Sequence, residues 1–265
     1  MAHAQIEIPD VDAPAQGELV AEHESVARGG TLWVGVHITM KPKWHVYWRN
    51  PGDSGMPVKI QWTVPKGVVC SPVHWPAPHR IATDPLMTYG YDGEVLLAVK
   101  LTVPKDWKGE SIGITARAEW LVCTDVCLEG GMAAELKIPV RAAPDRKATE
   151  WAPAFREARA ALPEAAPNGA LKATMAGLRV DLVKLPIAEK ARVYFYPYKA
   201  GWLDHAAAQP LSRKDGHALL TLPRTAPNSE IVENRNVSGV FVIETGKVRR
   251  AFAVDLPVAK KSKPN

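Results

Sequence analysis

The strongest constraint on the fold is a series of short apolar runs separated by turn residues. In residues 31–40 and 58–64, apolar residues stand at every second position, and both runs are rich in β-branched and aromatic residues. This period of two predicts β-strands that bury one face. Similar runs follow at 94–103, 111–122 and 133–140, with Pro- or Gly-containing turn signals between them. Strands at this spacing, with almost no helix between them, predict an antiparallel β-sandwich.

One segment departs from the strand pattern and divides the chain. Between residues 145 and 164 apolar residues recur at helical spacing until Pro163, and an Ala/Pro-rich stretch follows. Five further strand-like runs lie between 177 and 258. The sequence thus predicts an all-β protein of two sandwich modules joined by a short helix-containing linker. The predicted boundaries are 5–142 for the first domain, 143–165 for the helical linker, 166–258 for the second domain and 259–265 for a disordered tail.

Composition and charge exclude several classes of protein. With 46% hydrophobic and 23% charged residues, the chain is typical of a folded protein rather than a disordered one. No apolar run approaches the ~20 residues that a membrane-spanning helix needs. The net charge is +5, but three lysines lie within 260–263 and the other basic residues are scattered. We therefore expect no nucleic-acid partner.

The cysteines carry the most informative spacing. The chain has three, Cys70, Cys123 and Cys127, too few and odd in number for a disulfide framework. In an extended strand Cys123 and Cys127 would lie roughly 13 Å apart, whereas a disulfide needs Cα atoms about 4.4–6.8 Å apart. The pair can therefore bond only across a turn. Because the run at 111–122 leads directly into Cys123, we place the pair at the exposed end of a hairpin, with a Gly-containing turn signal at 129–131.

Three interpretations of this pair are open from the spacing alone. A cross-link over so few residues adds little stability, because the entropic gain grows with loop length, and this favours an exchangeable redox disulfide. A structural disulfide that pins the hairpin is the second interpretation. A zinc site is the third, but it needs further Cys or His ligands, and none lies nearby in sequence. Cys70 follows an apolar stretch and is expected to be a buried free thiol.

Histidines and aromatic residues outside the pair give weaker signals. The segment 44–48 contains two Trp, one His and one Tyr. It could form a recognition loop or a soft metal site, but we favour an ordinary turn whose aromatic residues pack on the domain. His74 and His79 flank a WPAP motif, which we interpret as a surface loop. Since no dense cluster of Cys, His and Met is present, we predict neither a metal site nor a cofactor.

Four motifs resemble a known family. They are WHVYWRNPGDSGMP (44–57), HWPAPHR (74–80), YGYDGEVLLAVKL (89–101) and AEWLVCTDVCLEGG (118–131). Together they are similar to the periplasmic N-terminal region of DsbD-like protein-disulfide reductases, with the closer resemblance to the ScsB branch (suppressor of copper sensitivity protein B). The last motif is the most specific. The resemblance implies immunoglobulin-like folds for the predicted sandwich modules.

The resemblance also implies a function. In that family an exported immunoglobulin-like domain receives electrons through a membrane domain and passes them on by thiol–disulfide exchange. This chain would be the exported, periplasmic part of an inner-membrane reductase. Its electron donor would be the transmembrane domain of the full-length protein, and its acceptor a periplasmic thioredoxin-like, isomerase or peroxiredoxin-like protein. The small-residue pattern Ala2-His3-Ala4 also fits an exported protein.

Site residues follow from the same resemblance. Cys127 corresponds to the attacking cysteine and Cys123 to its disulfide partner. The family shields its cysteines with a cap loop, which matches residues 84–93 here and implies a role in partner docking. The matching residues are Met87, Thr88, Tyr89, Gly90 and Tyr91. Two other functions stay open: a non-catalytic immunoglobulin-like binding module with a structural disulfide, and a copper-binding or copper-tolerance protein.

The residues around Cys127 predict a low intrinsic reactivity. Within four positions there is no Lys, Arg or His that could stabilise a thiolate, whereas Asp125 and Glu129 disfavour one. We therefore expect slow exchange with small disulfides and faster exchange with a docked protein partner.

Overall fold

The computed structural model describes residues 12–142, 147–167, 169, 171–174, 179–183, 185, 187–214, 217–225 and 236–259. The described residues form nineteen strands and one short helix, which confirms the predicted all-β class. The predicted export signal at residues 2–4 and most of the predicted tail lie outside the described residues. Within the described part of the chain, no helix is long and apolar enough to cross a membrane.

The elements of the N-terminal part are mostly strands. In chain order they are β1 (Ala15–Ala21), β2 (Val26–Ala27), β3 (Thr31–Met40), β4 (His45–Gly52), β5 (Lys59–Thr63), β6 (Val69–Cys70), β7 (His79–Thr83), β8 (Leu86–Asp92), β9 (Glu94–Thr102), β10 (Ser111–Cys123), β11 (Cys127–Arg141) and helix α1 (Ala152–Ala160).

Only strands follow among the described residues of the C-terminal part. They are β12 (Glu164–Ala165), β13 (Lys172–Thr174), β14 (Arg179–Asp181), β15 (Arg192–Pro197), β16 (Leu211–Lys214), β17 (His217–Thr221), β18 (Asn236–Thr245) and β19 (Val248–Ala259).

Two sheets build the N-terminal sandwich. One has the strand order β1-β3-β9-β6, and the other the order β2-β11-β10-β4-β8-β7 with β5 also paired to β10. Their facing apolar residues form one core, in which Val34 and Val99 of the first sheet pack with Ile112 and Ile138 of the second. The predicted alternation is visible in β10, where every second residue from Ile112 to Trp120 is buried.

The C-terminal strands form a separate sheet with its own core. Its order is β15-β18-β19-β13-β14-β17-β16, and β12 pairs with β19. Phe195, Phe241, Leu220 and Val180 are fully buried in this core. The first of the strand-like runs predicted beyond residue 177 contains β14, which covers Arg179–Asp181.

The chain divides into two compact units whose boundaries differ from the predicted domains. The first unit holds the described residues of Met1–Arg49, Met56–Pro76 and Gly90–Leu162; the second holds those of Asn50–Gly55, Ala77–Tyr89 and Pro163–Asn265.

Helix α1, predicted as part of a linker, belongs to the first unit. Its Phe155 is fully buried against Val20, Leu96 and Ala98 of the sandwich. The segment 77–89, in turn, belongs to the second unit. A helix with one apolar face becomes part of whichever core buries that face.

Candidate redox site

Cys123 and Cys127 close the long hairpin formed by β10 and β11. The two strands pair continuously from Ser111↔Pro139 to Cys123↔Cys127, so the cysteines are the last cross-strand pair before the turn. Their sulfur atoms are bonded at 2.08 Å, and their Cα atoms lie 4.2 Å apart. The turn is short, and the Thr124 N–H donates to the Val126 carbonyl at 2.9 Å.

The predicted turn signal at 129–131 lies within a strand instead. Gly130 and Gly131 belong to β11, which already begins at Cys127. Gly130 pairs with Trp120, and a Cβ atom at Gly130 would lie 2.4 Å from the indole Nε1 of Trp120. These glycines therefore serve close packing across the hairpin rather than a turn.

The two cysteines differ sharply in exposure. Cys123 is 1% exposed, whereas Cys127 is exposed at the tip of the hairpin. Val126 and Leu128, on either side of Cys127, are 59% and 45% exposed. A sulfur atom of another protein can therefore reach Cys127, while Cys123 is accessible only from within the site.

Two residues of β4 lie beside the disulfide. His45 is the register partner of Cys123, and Tyr47 lies on the same face of β4 because side chains alternate along a strand. The Tyr47 hydroxyl lies 3.8 Å from Cys127 Sγ. Since a disulfide sulfur carries no proton, the hydroxyl is the donor. The imidazole of His45 and the ring of Tyr47 meet edge to face at 5.1 Å.

Sequence interpretation missed these two residues as part of the site. The segment 44–48 was expected to be a turn with packed aromatic residues; its aromatic residues are packed, but from His45 onwards they belong to a strand. The alternation of His45 and Tyr47 with Val46 and Trp48 was the available signal. It indicates a strand but not the neighbouring strand or its register.

The two cysteines lie in different electrostatic surroundings. His45 is 4% exposed, and burial lowers its pKa, although the nearby carboxylate of Asp92 partly opposes this shift. A lowered pKa means that the imidazole is neutral at pH 7. Near Cys127 the side chains of Asp125 and Glu129 are exposed and acidic, which disfavours a thiolate there.

The residues predicted to form a cap loop lie in a strand. Residues 87–91 belong to β8, and the turn between β7 and β8 is at Asp84 and Pro85. Four of these residues are buried in the sheet, and their role in shielding and docking stays a prediction. The buried residues are Thr88, Tyr89, Gly90 and Tyr91.

The contacts of this strand also differ from the expectation. The Met87 N–H donates to the Asp53 carboxylate at 2.8 Å, and the hydroxyl of Tyr89 is 2.9 Å from Nδ1 of His205. These partners belong to the second unit. In the first unit, the Tyr47 hydroxyl lies 3.8 Å from Cys127 Sγ, and His45 stands opposite Cys123 in the strand register.

The other candidate residues were Cys70, His74 and His79. Cys70 is a free, half-buried thiol that packs against the sandwich core, and burial raises its pKa. His74 contacts the hydroxyl of Ser71 at 3.2 Å, and His79 belongs to the other unit. Among the described residues, no group of three or more His, Cys, Asp or Glu side chains could hold a metal ion.

Comparison with known proteins finds a family match in the N-terminal part. Residues 16–136 match the family model described as "Thiol:disulfide interchange protein DsbD, N-terminal". The structure of the N-terminal periplasmic domain of ScsB from Proteus mirabilis superposes with a TM-score of 0.66 at 20% identity, covering 94% of this chain and 95% of that one. This likeness shows a shared fold.

Two further solved structures match more weakly. The yeast GGA1 GAE domain is 13% identical and covers 46% of this chain and 88% of its own, with a TM-score of 0.23. The periplasmic chaperone SfaE is 9% identical and covers 92% of this chain and 100% of its own, also at 0.23. Scores this low support no conclusion about fold. No curated protein sequence matches the chain.

Proposed function

We propose, on the premise that residues 16–136 match the DsbD N-terminal family model, that the chain relays electrons to periplasmic proteins. In this proposal it is the exported thiol–disulfide exchange domain of a membrane protein-disulfide reductase. The observation that carries the proposal is the asymmetric disulfide: Cys127 is exposed at a hairpin tip and Cys123 is buried beneath it.

The chemistry begins with the reduced pair. The Cys127 thiolate attacks one sulfur of the partner's disulfide, and the other partner sulfur leaves as a thiolate. Cys123 then loses its thiol proton, attacks Cys127 Sγ in the mixed disulfide and expels the remaining partner sulfur. The partner gains two electrons and, with two protons, becomes a dithiol. The cysteine pair becomes the disulfide seen in this structure.

A donor must then reduce the pair again. We assign this step to a dithiol of the transmembrane domain of the full-length reductase, as in the DsbD-like family. The acceptor in this proposal is a periplasmic thioredoxin-like, isomerase or peroxiredoxin-like protein. The periplasmic location rests on the family match and on the shared fold with the ScsB domain.

The surface around Cys127 supports docking with a protein rather than with a small molecule. Val126 and Leu128 expose apolar side chains next to the reactive sulfur, and Asp125 and Glu129 add negative charge around them. A complementary partner would present an apolar surface beside its own cysteines, with basic side chains at the rim. Docking would also remove water from Cys127, which lacks a cation of its own within the turn.

Trapping of mixed disulfides tests this proposal. In a Cys123→Ser variant the resolving sulfur is absent, so Cys127 should accumulate mixed disulfides with periplasmic proteins. Cys127→Ser is the matched control and should accumulate none through this pair. Mass spectrometry of the trapped species identifies both the partner and the bonded cysteine.

Reduction of the folded protein separates the proposal from its main alternative. A thioredoxin-type reductant should open the Cys123–Cys127 bond readily, as measured by thiol titration under native conditions. If the bond resists reduction until the protein unfolds, the disulfide is structural and the chain is a binding module instead.

A further inference from the structure

His45 is a buried titratable group beside the disulfide. The exchange steps proposed for the cysteines give it no role. It pairs directly with Cys123 across the β4–β10 ladder, and side chains of such pairs have Cβ atoms about 4.5–5.5 Å apart. Its Nε2 atom is buried and makes no hydrogen bond in this structure. An unpartnered polar atom in a core is costly, so its presence calls for an explanation.

The redox state of the neighbouring cysteine provides that explanation. In the disulfide, Cys123 Sγ carries no proton and cannot donate to His45. Reduction of the disulfide creates an S–H donor on the adjacent strand, on the same face as the imidazole. In the tautomer that carries its proton on Nδ1, the unpartnered Nε2 of His45 is an acceptor, and it gains a donor when the pair is reduced.

We propose that His45 Nε2 is the proton acceptor for the thiol of Cys123 when this thiol resolves the mixed disulfide. The inference deepens the proposed exchange function and rests on it. The Cys123 S–H bond breaks and its proton moves to Nε2, while the sulfur bonds to Cys127 Sγ. The partner sulfur leaves with the electron pair of the broken S–S bond, and the imidazolium returns the proton through solvent or to the leaving thiolate.

The surroundings of His45 suit this role. Titratable groups reach it from its own and the neighbouring strands: Tyr47 from β4, Cys123 from β10 and Asp92 from β8. Through the disulfide, Cys127 of β11 lies close as well. Burial keeps the imidazole neutral at pH 7, so it can accept a proton, and the Asp92 carboxylate stabilises the transient imidazolium.

The pH dependence of resolution distinguishes a base from a structural residue. Transfer from a neutral thiol to a neutral imidazole within the protein leaves the total proton count unchanged, so the rate should be nearly independent of pH between about 6.5 and 8.5. Without an internal base, the rate follows the thiolate fraction and rises about tenfold per pH unit below the thiol pKa.

Stopped-flow mixing of the reduced protein with excess dipyridyl disulfide measures this step. The first thione is released as Cys127 reacts, at a rate proportional to reagent concentration, and the second as Cys123 resolves, at a rate independent of it. In His45→Gln the amide oxygen still accepts a hydrogen bond but cannot take a proton. We expect the second step to slow about tenfold or more and to acquire the thiolate pH slope, with the first step unchanged.

His74→Gln is the matched control, because His74 is a half-buried histidine of the same unit whose pKa burial also lowers. It should change neither step. A wild-type second step that already follows the thiolate slope overturns the inference without any variant, as does a His45→Gln second step with the wild-type rate and slope. If wild type shows no second release and forms no disulfide, the exchange function itself fails.

Discussion

The two sulfur atoms of the disulfide have different surroundings, which suit the different roles proposed for them. Cys123 lies buried beside a neutral imidazole, whereas Cys127 is exposed and contacts one polar group, the Tyr47 hydroxyl. A hydroxyl that donates to a disulfide sulfur can donate more strongly to a thiolate, because hydrogen bonds to ionised acceptors are shorter and stronger. In the proposed exchange, Tyr47 would therefore stabilise the attacking thiolate of Cys127.

Removal of this hydroxyl should make Cys127 less acidic. In a Cys123→Ser background, Tyr47→Phe should raise the pKa of Cys127 and slow its alkylation at pH 7 by a few-fold, about what one modest hydrogen bond contributes. The pH dependence of the iodoacetamide reaction measures both effects.

Tyr91→Phe provides the control, because the Tyr91 hydroxyl is buried in the same unit but donates to the Pro76 carbonyl. An unchanged alkylation profile in Tyr47→Phe would show that the contact at Cys127 is incidental.

At the scale of elements, hairpin β10–β11 sets the geometry of the site. Its register brings Cys123 and Cys127 opposite each other, and one slipped residue would separate them. Part of this register comes from Trp120, whose buried indole packs where a side chain at Gly130 would stand. The glycine thus fixes the position of a large core residue three positions from Cys123.

Gly130→Ala should therefore destabilise the first unit. The added methyl group would overlap the Trp120 indole, and overpacking of this kind costs about 1–3 kcal/mol in the free energy of unfolding. Denaturant unfolding followed by tryptophan fluorescence measures the loss.

Gly113→Ala on the same hairpin is the matched control, since the nearest atom to its added Cβ would be a Glu135 carboxylate oxygen at 3.4 Å. This substitution should be close to neutral. Equal effects of the two alanines would mean that the hairpin does not depend on the packing of Trp120.

At the scale of the whole molecule, both compact units contain buried histidines. Burial lowers the pKa of His45 and His74 in the first unit and of His205 in the second. For His205 the carboxylates of Asp53 and Asp204 oppose this effect, and Arg80 adds to it. Each of these imidazoles binds a proton less readily in the folded chain than in the unfolded one.

This difference predicts a loss of stability in acid. Below the unfolded pKa of about 6.5 the unfolded chain binds more protons than the folded one, so the free energy of unfolding falls as the pH falls. Urea midpoints measured between about pH 7 and 5 should therefore decrease. The double variant His74→Gln/His205→Gln should show a weaker decrease, and a midpoint that rises towards acid would contradict the assignment of these groups.

The sequence by itself determined the all-β class, the turn between the two cysteines and the helix at 152–160. These features depend on periodicity and on distances between near neighbours in the chain, which local residue patterns encode. The loop expected at residues 87–91 came from the family resemblance, and the Tyr-Gly motif there does not reveal that a sheet will bury it.

The tertiary structure alone decided which residues share the site with the disulfide. His45 lies 78 positions before Cys123, and no local pattern specifies that β4 and β10 are neighbours or which residues face each other. Register across strands depends on how the whole sandwich buries its apolar faces. The exposure of Cys127, the burial of Cys123 and the unpartnered nitrogen of His45 follow from that packing.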